Sequence, residues 1–449
     1  MTDSGTLAPL ALDRTLVVGL GVMGRAVVRA LVQRGSAVTA TDDGLGAGGP
    51  ALAAELGAAW VDPPADWAGL IAGHDAVVPS PGIPERHPLF AAAAATGVPI
   101  RSELDLAAAW DDRPIATITG TNGKTTVTTL VTEMLVASGR VAVPAGNVEV
   151  PLVEAIDDPS TEVFVVEASS FRLTFATAHQ PVVGTWLNFA PDHLDVHLDL
   201  AGYEAAKARI WHNHEHGGLA VANADDPVVM RWAPAGDRTQ TFGIHEPADW
   251  HVADGMLRGP GGLELLPVDE LTRSLPHDRS NALAAAATAL AAGATLDGIR
   301  AALRAFRSLP HRVELVGEAG GVRWYDDSKA TAPHATLAAM AGFESAVLIA
   351  GGRNKGLDLT ELGDLAPHLR AVVAIGEAAS DVEAAFAGRT PTVTAASMEE
   401  AVELAAGLAE PGDDVVLSPA CASFDWYPGY AVRGDHFQAV VRQHLEAVA

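Results

Sequence analysis

The chain has 449 residues, 29 basic against 56 acidic side chains, a formal charge of −27 and 49% hydrophobic residues. That length holds about three domains of roughly 150 residues each, and the apolar share is ample for folded cores. So negative a chain repels polyanions, which argues against nucleic acid or an anionic membrane as partner and leaves any phosphate to local lysines, arginines and helix N-termini.

One cysteine, Cys421, allows no internal disulfide and fits a reducing compartment. Met1 to Asp13 lacks a basic stretch followed by an apolar one, so no signal peptide is expected. The Ala-rich run from Asn281 to Leu296 is too short and too weakly apolar for a membrane span and reads as a buried helix. These features describe a soluble, cytoplasmic protein.

In chain order, residues 15–21 read as a short apolar strand running into Gly19-Leu20-Gly21-Val22-Met23-Gly24. A helix to Arg34 and a strand from Ala37 to Thr41 follow, ending at Asp42. This is a G-x-G-x-x-G layout with an acid about 20 residues on, open to three readings: a nicotinamide dinucleotide, a UDP-type ligand, or a structural Rossmann turn. Ala76 to Val78 form the next strand, broken at Ser80-Pro81-Gly82-Ile83. A polar stretch from Trp110 to Pro114 suggests the first domain boundary.

The β-branched run Ile115 to Thr119 breaks into Gly120-Thr121-Asn122-Gly123-Lys124-Thr125-Thr126 and then a helical pattern from Val127 to Leu135. A strand, a Gly-containing loop and a helix start turn backbone N–H groups and a helix dipole toward one point, which suits phosphate. In such a loop the lysine reaches the terminal phosphates and the following hydroxyl meets Mg²⁺, so the expected ligand is ATP. Further strands are expected at 141–144, 161–168, 181–189 and 218–222, then helices at 281–292 and 296–306. Strands alternating with helices imply a parallel sheet covered on both faces. Pro310 marks the second boundary. The last part repeats the alternation, with strands at 322–325, 346–350, 371–375 and 414–417.

Glu167 ends one central strand. Asn188, Asp192, His193 and Asp195 follow the next, a set of oxygen ligands and one imidazole suited to Mg²⁺ or Mn²⁺. Spacing alone reads Lys207, in the helical stretch 203–210, as a solvated surface lysine. Arg312, the run Asp326-Asp327-Ser328-Lys329-Ala330-Thr331, the run from Gly351 to Gly356 and the run from Ser418 to Ser423 follow strands or precede them in the last part. Their mixed acids, bases and hydroxyls suit a nucleotide or acyl phosphate.

Together these motifs resemble the Mur ligase family. Gly-Thr-Asn-Gly-Lys-Thr-Thr, Glu167-Ala168-Ser169-Ser170-Phe171 and Asn188 with Asp192-His193 are similar to motifs shared across that family. Asp327-Ser328-Lys329-Ala330-Thr331 and Ser418-Pro419-Ala420-Cys421-Ala422-Ser423 resemble its D-glutamate-adding branch. The resemblance runs from about Leu16 to the end of the chain.

It implies an α/β fold in three domains: a Rossmann-like one over 1–110 for a UDP substrate, a central P-loop ATPase with a mostly parallel sheet over 111–310, and a dinucleotide-fold domain over 311–449 for the amino acid. It implies a monomer that uses ATP, one or two Mg²⁺ ions for which Mn²⁺ can substitute, UDP-N-acetylmuramoyl-L-alanine and D-glutamate, by way of an acyl phosphate. Residue by residue, Gly120 to Thr126, Asn281, Arg312, Asp327 and Lys329 match the ATP contacts. Thr125, Glu167 and His193 match metal-site positions, and Lys207 matches a lysine the family carbamylates, which replaces the surface reading. Val22, Met23, Asp42, Gly82 and Asn147 match the UDP-sugar contacts. Lys329, Thr331, Lys355, Ser423 and Tyr430 match the region that receives D-glutamate. Departures from the family pattern fall at Gly44, Glu149, Arg172, Ala332 and Tyr430.

Overall fold

The computed structural model describes residues 10–147, 150–193 and 196–448. The chain forms two compact units, one running through Thr272 and including Arg279–Phe306, the other made of Arg273–Asp278 and everything from Arg307.

The first unit holds two parallel sheets. Strands β1 (Arg14–Val18), β2 (Ala37–Thr41), β3 (Ala59–Trp60) and β4 (Ala76–Pro79) stand in the order β3-β2-β1-β4. The chain therefore leaves β1 to one side for β2 and returns to its other side for β4. This opens a crevice where the Gly19–Gly24 loop faces Ser80, whose Oγ donates to Gly19 O at 2.8 Å.

The second sheet contains β5 (Ile115–Thr119), β6 (Ala142–Gly146), β7 (Val163–Glu167), β8 (Val183–Trp186), β9 (Leu219–Asn223) and β10 (Thr239–Phe242), in the order β10-β9-β8-β5-β7-β6. All its pairings are parallel. β5, β7 and β8 are buried at every position, as their apolar and β-branched composition requires of strands covered on both faces. Ile118 pairs with Glu167 and Thr119 with Trp186, so the carboxyl ends of β5, β7 and β8 lie level at the point where the strand order reverses.

The alternation legible in the sequence is borne out in type, and its omissions are specific. β10 was not expected, nor was a small antiparallel sheet of β11 (His251–Ala253), β12 (Met256–Gly259) and β13 (Leu263–Pro267). Their residues supply Trp250, Leu257, Leu265 and Leu266 to the core under the Ala-rich helix Pro276–Ala291.

The second unit is one sheet, β14-β15-β19-β16-β17-β18, made of β14 (Glu314–Ala319), β15 (Val322–Asp326), β16 (Ala346–Gly351), β17 (Leu369–Ile375), β18 (Thr392–Ala395) and β19 (Asp414–Ala420). β14 is antiparallel to β15 and the remaining pairings are parallel. β14, β18 and the long closing helix Tyr430–Val448 were not foreseen.

A helix from Glu103 to Trp110 connects the two sheets of the first unit. Its start is a capping box on Ser102 and Asp105. The fully buried Asp105 does more, because its Oδ1 also accepts from the backbone N–H groups of Thr177, Ala178 and His179 at 2.8, 2.7 and 3.2 Å. One carboxylate thus satisfies three successive donors just before β8. Asp105→Ala should lower the unfolding free energy by about 3 kcal/mol or more, since each orphaned buried donor costs about 1–3 kcal/mol. Urea unfolding at constant m-value measures it, and a loss under about 1 kcal/mol would mean that water replaces the carboxylate.

Candidate active site

The loop after β5 folds as its glycines demand. Gly123 caps the helix Lys124–Ala137 in the left-handed region, with φ 81°, and a side chain there would lie 2.8 Å from Asn281 Oδ1. Gly123 is therefore fixed by both conformation and space, and Asn281 stands beside the loop. Lys124 folds back over it, with Nζ donating to Gly120 O at 2.9 Å and Thr121 O at 3.0 Å. Thr125 and Thr126 lie in the first helical turn, half-buried.

Asn188, at the end of β8, holds this loop from outside. Its Oδ1 accepts from the N–H of Thr121 at 3.0 Å and of Asn122 at 2.8 Å, and its Nδ2 donates to Asn122 O at 3.2 Å. Both faces of the amide are engaged, so Asn188 serves here as a clip on the loop, where the sequence suggested a metal ligand. Tyr203 adds a contact between its hydroxyl and Thr121 Oγ1 at 3.3 Å.

Glu167 ends β7 and is 2% exposed. Its Oε1 accepts from Asn147 Nδ2 at 3.1 Å, while its Oε2 is buried without a partner among the described residues. A buried carboxylate oxygen left open in this way fits a divalent cation, which favours anionic oxygen donors. Next along the edge, Asp192 Oδ1 accepts from His193 N–H at 2.8 Å. His193 adopts φ 56° and keeps its ring partly exposed, 4.9 Å from the Phe171 ring. Asp195 and Glu149 lie outside the described residues.

Lys207 corrects the reading from spacing alone. It is 1% exposed, and its Nζ donates to Gly120 O at 2.7 Å. Burial, and then the neighbouring Lys124, hold the amine well below the usual lysine range, while Asp192 and Glu167 pull the other way. Lys124, Glu167, Asp192 and Lys207 thus occupy one charged neighbourhood at the sheet's carboxyl edge.

In the first sheet, Val22 is 68% exposed at the start of its helix and Met23 is buried. Asp42 accepts from Leu20 N–H at 2.6 Å and from Gly44 N–H at 2.8 Å, which ties the glycine loop to β2. Gly82 sits at φ 88° beside open space.

In the second unit, Lys329 Nζ lies 3.8 Å above the Tyr430 ring and Lys355 Nζ 5.9 Å from the Phe424 ring. Thr331 is half-buried and Ser423 buried. Asp327 is buried and accepts from Ser418 Oγ at 2.7 Å and from Val313 N–H at 3.3 Å, and burial pushes its carboxyl up to about 7. Arg312 lies in the turn after Pro310, between His311 at φ 60° and Val313 at φ 49°. His311, Glu314 and Asp326 form a cluster of metal-type donors. Gln438 Nε2 already bridges its two carboxylates, at 3.0 and 2.8 Å, and His311 Nδ1 meets Asp326 at 2.7 Å, so the group is closed on itself.

A phosphate-type loop at the switch point of a parallel α/β sheet defines the class of P-loop proteins. Residues 118–289 match the Mur ligase middle domain, and residues 311–421 match the Mur ligase, glutamate ligase domain. The chain is 44% identical over 447 residues to a UDP-N-acetylmuramoylalanine–D-glutamate ligase of Frankia casuarinae, covering 95% of this chain and 93% of that one. It is 39% identical to a protein of the same name from Desulfosudis oleivorans, covering 96% and 97%. Among solved structures it resembles a pseudomurein peptide ligase type C from Methanothermus fervidus, with TM-score 0.59, 19% identity, and 96% and 100% coverage. It also resembles the UDP-N-acetylmuramate-alanine ligase of Thermotoga maritima, with TM-score 0.55, 17% identity, and 97% and 99% coverage. The chain belongs to the Mur ligase family.

Two outcomes follow from this geometry. Asn188→Ala should weaken nucleotide binding by about tenfold to a hundredfold, because loop N–H groups lose their alignment. Calorimetric titration with ATP should show this at an unchanged melting temperature, and unaltered affinity would mean that the loop holds its own shape. The second outcome concerns Lys207. On unfolding, its amine regains an ordinary proton affinity, so the wild type loses stability as pH falls below about 10.4. In CO₂-free buffer the unfolding free energy of Lys207→Met should therefore rise relative to that of the wild type as pH falls below about 10.4. A pH-independent difference would show that the amine titrates normally.

Proposed function

We propose that this chain is an ATP-dependent ligase that forms an amide between D-glutamate and the carboxylate of UDP-N-acetylmuramoyl-L-alanine, a step of peptidoglycan precursor synthesis. The observation that carries the reading is the convergence, on one sheet edge, of a phosphate-type loop, a buried carboxylate oxygen without a partner among the described residues and a fully buried lysine amine. The names of the full-length relatives support the substrates.

A carboxylate is a poor electrophile. One of its oxygens takes the γ-phosphoryl group of ATP as the bond to ADP breaks, and the acyl phosphate carries a good leaving group. The neutral amine of D-glutamate attacks the carbonyl carbon, and the tetrahedral intermediate expels phosphate. Loop N–H groups and Lys124 balance charge on the transferring group. Mg²⁺, with Mn²⁺ as substitute, as one ion or two, neutralises phosphate oxygens when bound. Thr125, Glu167, His193 and Lys207 would hold it. Lys207 fits that role as a carbamate: its lone pair adds to CO₂, a proton leaves the nitrogen, and the side chain becomes an anion with two oxygens. Only an uncharged amine reacts so, and burial favours that state by holding the amine well below the usual lysine range.

The remaining assignments follow the same reading. Residues 1–110 hold the UDP portion through Val22, Met23, Asp42 and Gly82, with Asn147 from the central part. Residues 111–310 hold ATP. Residues 311–449 receive the amino acid through Thr331, Lys355, Ser423 and Tyr430, and two lysines beside aromatic rings suit an anionic acceptor. Among the described residues no helix is long and apolar enough to cross a membrane. We assign the enzyme to the cytoplasm as a monomer.

The test is phosphate release with ATP and UDP-N-acetylmuramoyl-L-alanine, across the standard amino acids and D-glutamate. Release should depend on D-glutamate and fall more than about tenfold, over 1.4 kcal/mol of barrier, in Lys124→Ala. Equal release with another acceptor, or NADH binding in place of uridine nucleotide binding, would refute the assignment.

A further inference from the structure

Arg172 departs from the family pattern, and the structure gives it a partner that the sequence did not suggest. It is buried with Glu103, at 6% and 1% side-chain exposure, and its Nη1 meets Glu103 Oε2 at 2.5 Å. Its Nη2 donates to Gly146 O at 2.8 Å, and its Nε has no partner, so Glu103 and Gly146 set the orientation of the guanidinium. Glu103 is held in turn, since its Oε1 accepts from Val153 N–H at 3.1 Å and it lies in the first turn of the capped helix Glu103–Trp110.

Gly146 is the last residue of β6 and packs tightly on the end of β7. It adopts φ 93°, and a Cβ there would stand 2.5 Å from Glu167 O. The next residue, Asn147, meets Glu167 twice: its backbone N–H donates to Glu167 O at 2.9 Å, and its Nδ2 donates to Glu167 Oε1 at 3.1 Å. A continuous path thus runs from Glu103 through Arg172, the Gly146 carbonyl and Asn147 to a carboxylate whose other oxygen is buried and open.

We infer that the Glu103–Arg172 ion pair is a positioning device for Glu167: it fixes the Gly146–Asn147 peptide, and with it the direction of the Glu167 oxygen that faces a divalent cation. Arg172 and Glu103 touch neither substrate nor cation and act through Asn147. The inference rests on the proposed ligase function, because it presumes a cation at Glu167. Groups one step behind a ligand characteristically change metal affinity by about 10–100-fold when removed.

The difficulty for any test is that breaking one half of a buried pair leaves a bare charge and destabilises the fold whatever its purpose. The informative variant is therefore Glu103→Leu/Arg172→Met, which removes both charges together. Such replacements are often neutral or stabilising, yet here the hydrogen bonds from Arg172 to Gly146 O and from Val153 N–H to Glu103 are both lost. Arg172→Lys complements it, because a single ammonium cannot reproduce a planar fork that reaches both partners.

The measurement is Mn²⁺ binding to the full-length protein with a non-hydrolysable ATP analogue, followed by electron paramagnetic resonance, beside thermal melting and the KM for D-glutamate. The double variant should still melt in a single cooperative transition yet bind Mn²⁺ about tenfold or more weakly, with the acceptor KM within about twofold of wild type. Arg172→Lys should weaken Mn²⁺ in the same direction. Mn²⁺ affinity in the double variant within about twofold of wild type would overturn the inference and leave the pair a packing feature. Wild-type protein that binds neither the nucleotide nor Mn²⁺ would instead sink the ligase reading, so the two failures are distinct.

Discussion

A lysine amine buried against the phosphate-type loop sets the terms for the centre of this protein. Lys207 Nζ is held 2.7 Å from the carbonyl of Gly120, the same carbonyl that receives Lys124. Two ammonium groups sharing one acceptor at this depth would repel, and burial together with Lys124 holds the Lys207 amine well below the usual lysine range. Tyr203 covers the amine with its ring at 4.8 Å and reaches the loop with its hydroxyl. The position of the phosphate-type loop, the protonation state of Lys207 and the packing of Tyr203 are therefore one constraint seen from three sides. A chain of formal charge −27 can attract a polyphosphate only where such local arrangements outweigh its overall field.

The rest of the first unit holds that edge still. Asn188 orients two loop N–H groups, and Asn281 stands where a larger residue at Gly123 would collide. Asp105 ties the Glu103–Trp110 helix to the segment before β8. None of these side chains needs to meet a ligand. Their common effect is to remove conformational freedom before binding, which lets fixed dipoles act without reorganising. The second unit uses the same economy at its own strand ends, where buried Arg433 joins Ser328 to the Cys421 carbonyl.

Much of this was legible in the sequence. The β-branched run before Gly120, the helix after Lys124, the position of Glu167 at a strand end and the Ala-rich buried helix all depend on nearest neighbours and on hydrophobic period, so residues 115–137 and 281–292 could be read directly. The parallel character of the sheets also followed, since strands separated by helices have few other ways to pair. The small antiparallel sheet of β11 to β13 escaped because its strands are short, at three to five residues, and their sequences show no clean apolar–polar alternation.

Other features were decided by the tertiary structure. Lys207 looks like a surface lysine on its helix, and only its burial against the Gly120 carbonyl and the Tyr203 ring removes the water. Asn188 reads equally as ligand or clip until the loop lies within reach of both ends of its amide. Arg172 and Glu103 are 69 residues apart, and nothing local marks either as half of an ion pair. Short-range sterics and hydrophobic period marked the long buried strands, the Ala-rich helix and the chemistry at their ends, though not the short edge strands or the closing helix. Burial, protonation and the pairing of distant charges were settled only in the folded chain, because desolvation is a property of everything packed around a group.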